Sequence, residues 1–102
     1  MFLQSVDSRA PVLTFTNDVP SKSNDPEVSI SWNSDEPADF ECTHNGLSVD
    51  CGSGTRGVFT TINVPDGNNV FTVNGVDDLG NKGVPKVISW LKGRNLYFIY
   101  LM

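Results

Sequence analysis

The chain has 102 residues, room for one domain, with a formal charge of -5 and seven basic residues spread singly along it. At that size folding buries about two-thirds of the unfolded chain's surface, so a single core is feasible but not generous. The scattered cations make no patch that follows a phosphate backbone, which argues against nucleic acid as a partner. No run of 18 apolar residues exists, so nothing in the sequence as it stands spans a membrane.

Met1 to Asp7 lacks the basic start and apolar stretch of a signal peptide, so an extracellular reading implies a piece of a longer chain. Residues 1–9 read as a linker that leads into a first strand at Val12, Leu13, Thr14 and Phe15. A polar, proline-bearing stretch follows from Asn17 to Pro26. Val28, Ile30 and Trp32 then alternate with Ser29, Ser31 and Asn33, the cleanest strand pattern in the chain. Residues 33–37 read as a turn.

The next segment holds the only two cysteines, Cys42 and Cys51. Phe40 and Cys42 alternate with Glu41 and Thr43 as a half-buried strand does, and Asn45-Gly46 is a strong hairpin signal. The pattern predicts a disulfide-stapled β-hairpin. A two-residue loop at Asn45-Gly46 sets Cys42 opposite Val49, whereas opposing Cys42 to Cys51 moves the turn centre to between Gly46 and Leu47. The expected resolution is a four-residue loop over 45–48, or a bulge near Val49, with the cysteines in a non-hydrogen-bonded pair. On the chain-entropy account such a bridge contributes about 2.7 kcal/mol, and it points to an extracellular, periplasmic or lumenal setting.

Residues 52–57 read as a flexible connector. Strands are predicted from Val58 to Val64, from Asn69 to Val76 and from Val84 to Leu91, separated by turns at 65–68 and 77–83. About seven short strands with no helical period imply a two-sheet antiparallel β-sandwich over residues 10–92. Alternation places Trp32, Phe40, Phe71, Val73 and Trp90 in its core, with Ile30 and Ile88 beside them. The apolar run from Leu96 to Met102 lies beyond the last strand. Among a cut membrane span, an extra edge strand and sequence outside the domain, the last is favoured, so residues 93–102 are read as a tail.

Four pieces in order carry a resemblance. Asp7 and Pro11 fit a leading Asp-x-x-x-Pro, and Phe40, Cys42, Gly46 and Cys51 fit Phe-x-Cys…Gly…Cys. Pro65, Asp66, Gly67, Phe71 and Val73 fit Pro-Asp-Gly-x-x-x-Phe-x-Val, and Asp77, Gly80 and Asn81 fit Asp-x-x-Gly-Asn. Over residues 7 to 91 the chain resembles Ig-like modules of fibronectin type III-like or bacterial Ig-like character, with the hyalin-repeat module as a close rival. The resemblance implies a spacer and contact surface in a larger adhesive or matrix protein. Asn74-Gly75, a turn pair inside a strand, and the apolar tail depart from it.

No constellation for catalysis stands out. His44, the only histidine, reads as a solvated residue at the hairpin tip. No serine has a G-x-S-x-G setting, the cysteines are better used on each other, and no zinc-type cluster or phosphate-binding loop is present. The expected function is therefore a non-catalytic extracellular module, with no cofactor, whose partners are proteins or neighbouring modules. His44, Asn45, Gly46 and Leu47 form its candidate contact loop. Two alternatives stay open. One is a carbohydrate-binding accessory module of a secreted enzyme. The other is a calcium-dependent interdomain joint using Asp7, Asp77, Asp78 and Asn81, set against plain turn chemistry for the same residues.

Overall fold

The computed structural model describes residues 9–93. Its strands in chain order are β1 (Leu13–Phe15), β2 (Lys22–Ser23), β3 (Val28–His44), β4 (Leu47–Val49), β5 (Ser53–Thr61), β6 (Gly67–Val76) and β7 (Lys86–Lys92). All are antiparallel to their neighbours except β2, which runs parallel to β7. The architecture is all-β, as the alternation predicts.

β3 organises the two layers. Its first half pairs with β1 and β5, and its second half pairs with β4 and β6, beyond which lie β7 and β2. Residues 33–37, expected to form a turn, continue the strand instead, so that β3 runs for 17 residues and joins both layers. The crossing is marked by a register shift against β5 between Asn33 and Ala38. Pro37, without an N–H, suits a break in the ladder, and the Ser34 hydroxyl donates to the Glu36 carbonyl there at 2.6 Å. Even-numbered side chains face inward on both sides of the bend: Ile30 and Trp32 from the first half, Phe40 and Cys42 from the second.

Those residues build one core. Trp32 stands edge-on to Phe40 with centroids 5.5 Å apart and lies tilted against Phe71 at 5.7 Å, while Phe59 stacks on Phe71 at 5.0 Å. Trp32 and Phe59 come from one layer, Phe40 and Phe71 from the other, so the rings interlock across the sandwich. Trp32, Phe40, Phe71, Val73, Trp90 and Ile30 are all buried, and Ile88 packs partly buried against them, as expected.

Residues 52–57 are not a flexible connector, because β5 starts at Ser53 and runs through them. Gly57 pairs with Trp32, and a Cβ there would run into the indole ring. Its lack of a side chain serves packing rather than mobility. Gly75 is likewise a packing position, with the side chains of Pro11, Ala38 and Leu13 within 3.1–3.4 Å of where its Cβ would stand. Asn74-Gly75 therefore sits inside β6 without turning the chain. β2 falls in the polar stretch from Asn17 to Pro26 that carried no strand signal. It is held by its backbone, with the Leu91 N–H donating to the Ser21 carbonyl at 2.8 Å.

Candidate functional site

Asn45 and Gly46 form the hairpin tip by themselves. Both have positive φ, 53° and 85°, the combination that a two-residue turn of matching twist requires and that Asn-Gly supplies cheaply. The ladder behind it pairs His44 with Leu47, Thr43 with Ser48 and Cys42 with Val49. This corrects the expected four-residue loop in favour of its alternative, an irregularity near Val49. Cys42 and Cys51 are bonded, with Cα atoms 6.2 Å apart, but they are not a register pair. Between Cys42↔Val49 and Asp39↔Ser53, β3 has two residues and the returning chain has three. The additional residue falls beyond Val49, in the arm at 50–52, and the bridge reaches diagonally across that irregularity to tie the arm to β3.

A second tie runs through Asn69. Asn69, at the start of β6, is completely buried (0% exposed). Its Nδ2 donates to the Pro65 carbonyl at 3.0 Å and the Gly67 carbonyl at 3.2 Å, which orients the amide so that Oδ1 accepts. Asn45 Nδ2 donates to that oxygen at 3.0 Å, and His44 Nε2 lies 3.0 Å from it. With Oδ1 as acceptor, His44 must carry its proton on Nε2. Asn45 also continues the β3–β6 ladder: its N–H donates to the Val70 carbonyl at 2.8 Å, and its Oδ1 accepts from the Val70 N–H at 2.8 Å. The turn at 65–67, the hairpin tip and β6 are thus latched through one amide.

His44 is accordingly not a solvated tip residue. Its ring stacks on Trp90 at 5.8 Å with planes 6° apart and lies 5.6 Å from Phe59, half-buried at the end of the aromatic core. Asn45 is exposed, yet its amide is committed to the latch. Of the four residues in the candidate contact loop, only Gly46 and Leu47 present themselves outward, and Leu47 is 72% exposed. The missed signal was the phase of β6: Asn69 shares its side with Phe71 and Val73, so alternation alone placed a polar group in the core.

Of the acidic set, the structure brings Asp77 and Asn81 together. Asp77 Oδ1 accepts from the N–H groups of Leu79 and Asn81 at 2.9 Å each, and Asp77 Oδ2 accepts from Asn81 Nδ2 at 2.9 Å. The hydrogen bond from the Asn81 side chain, joined by the backbone N–H donors of the turn, holds the Asp77 carboxyl below its ordinary value of 3.8. Asp78 is exposed, and Asp7 lies outside the described residues. Asp77 and Asn81 thus come together across the turn at 77–81. Among the described residues no group of three or more His, Cys, Asp or Glu side chains is placed to hold a metal. The tail at 96–102 also lies outside the described residues.

Against known proteins, no family model matches the chain, and no curated protein matches it in sequence. A solved structure does. Fibronectin(III)-like modules of Clostridium thermocellum CbhA superpose with a TM-score of 0.61 at 15% identity, covering 79% of this chain and 95% of that one. The fold is fibronectin type III-like. In this chain the bent β3 and the parallel β2–β7 pair have no clear local signal in the sequence.

Proposed function

We propose that the chain is a non-catalytic extracellular module, a spacer and protein-contact element of a larger adhesion or matrix protein, whose contact surface is the hairpin tip at Gly46, Leu47 and Ser48. The observation that carries this reading is Leu47: a large apolar side chain left 72% exposed on a turn tied from behind by the Cys42–Cys51 bond and by Asn69. An apolar residue held rigidly outward loses little conformational freedom on contact, which is how a preformed surface gains affinity. The disulfide suits an oxidising compartment, and the fibronectin type III-like fold is compatible with a module that does no chemistry. The test places a photo-crosslinking residue at position 47 of the parent protein, with position 84 as control, because Val84 is also strongly exposed but lies away from the tip. A discrete adduct at 47, absent at 84 and competed by the isolated module, supports the reading. Equal labelling from both positions rejects it.

The second reading, an accessory carbohydrate-binding module of a secreted enzyme, is favoured by the fold of the CbhA modules. Trp32 and Trp90 are buried and offer no aromatic platform to a sugar, so this reading depends on a polar site.

A further inference from the structure

The outer face of the first layer carries an open cleft of about 880 Å³, within the range of about 300–1,000 Å³ typical of small-molecule sites. Its floor follows from the phase of β3: even-numbered residues face the core, so Ser31 and Asn33 face out, directly across from Val58 and Arg56 of β5. Thr16 joins this floor through a 2.7 Å hydrogen bond between its hydroxyl and that of Ser31. One wall is the arm at 50–53, which carries Asp50 and Ser53 and is fixed by the bond from Cys51 to Cys42. The disulfide therefore shapes this cleft as much as it braces the hairpin.

The lining of the cleft is mixed, with slightly more apolar than polar surface, and its charges balance locally. Arg9–Asp35, Lys82–Glu41 and Lys92–Asp66 are ion pairs among the described residues, and Arg56 on the floor of the cleft and Asp50 on its wall belong to none of them. Around them stand the Asn33 amide, the Ser53 hydroxyl, and the hydroxyls of Thr16 and Ser31, which are hydrogen-bonded to each other while Ser31 also donates to Asn17 Oδ1 at 3.1 Å. A docked peptide would need aromatic or aliphatic anchor pockets, and here Val58 is the single exposed aliphatic side chain in the lining. A nucleic acid would need a run of cations, and the lining has one. A carboxylate, a guanidinium and an amide in one lining suit a chain of vicinal hydroxyls. A carboxylate accepts from a diol, while a guanidinium and an amide donate to hydroxyl and ring oxygens.

We propose that this cleft is a binding subsite for a neutral oligosaccharide, with Asp50 as acceptor and Arg56 and Asn33 as donors. The proposal deepens the second functional reading and is independent of the hairpin tip. One cation and one carboxylate cancel, which favours neutral sugars over uronates, and Trp32, the one ring in the lining, is buried and offers no stacking face, which makes the affinity weak.

The experiment is an amide-shift titration of the full chain with cellohexaose, xylohexaose, mannohexaose and tetragalacturonate at millimolar concentrations. The expected result is saturable shifts at Ser31, Asn33, Ser53 and Arg56 with at least one neutral sugar. Arg56→Ala and Asp50→Asn, both at exposed positions, should each weaken binding about tenfold, equivalent to about 1.4 kcal/mol, with melting unchanged. Leu47→Asp should leave the titration as it was, so failure of the hairpin-tip reading and failure of this one are separable. No shift with any of the sugars overturns the proposal. So does binding by tetragalacturonate alone, affinity indifferent to both cleft substitutions, or loss of binding in Leu47→Asp.

Discussion

Replacing Asn69 tests the latch most severely. Asn69→Ala removes an amide that makes four hydrogen bonds from a fully buried position, each with a net value of about 1 kcal/mol. Asn45 is exposed and its amide can turn to water, which offsets part of the loss, whereas the carbonyls of Pro65 and Gly67 and the half-buried His44 ring have less recourse. The net cost is about 3 kcal/mol, which for a domain of this size lowers Tm by about 12–24 °C. Urea unfolding followed by tryptophan fluorescence measures it, and Trp90, stacked on His44, reports directly on the region. The midpoint should fall while the slope stays that of the parent. Asn69→Leu retains the volume without the polar groups. If it matches the parent in stability, the hydrogen bonds are not what holds this corner, and the reasoning fails.

Gly57→Ala should destabilise by about 1–3 kcal/mol through overpacking, since the new methyl group meets the Trp32 indole; an unchanged melt would contradict the close approach. Removing the bridge with Cys42→Ser and Cys51→Ser together should cost about 2.7 kcal/mol by loop entropy, and intact mass under non-reducing conditions checks that the parent is oxidised. Asp77 is a carboxylate whose folded value is depressed, so its contribution is present above the ordinary value of 3.8 and is lost as pH falls through the lower folded value. The stability gap between the parent and Asp77→Ala should therefore narrow in melts taken below that pH, and a gap that widens on acidification would reverse the assignment.

What the sequence made legible follows from what alternation reports. Period two tells which side of a strand is apolar, and that was enough to place Trp32, Phe40, Phe71, Val73 and Trp90 in one core. It does not tell which strand lies alongside. Alternation therefore leaves the register of the cysteine hairpin open between a four-residue loop and a bulge near Val49, and the structure takes the two-residue turn with the irregularity beyond Val49. A disulfide with Cα atoms 6.2 Å apart reaches across an additional residue, so both signals were satisfied together. β2 could not be read because Lys22 and Ser23 contribute backbone pairing rather than a buried face. Gly57 was read as mobility because glycine's packing role depends on Trp32, 25 residues earlier in sequence. Nearness to the turn suggests solvent for His44, although its neighbours in space are Phe59, Trp90 and Asn69. The cleft was invisible for a related reason. Asn33, Asp50 and Arg56 carry no motif, and only the layer topology assembles them.

The central claim, that the hairpin tip is a preformed rigid projection, is tested most directly by ¹⁵N relaxation of the oxidised chain at Gly46, Leu47 and Ser48. The account predicts order parameters of about 0.85, equal to those of a core strand residue such as Val73; values below about 0.6 at the tip would contradict it.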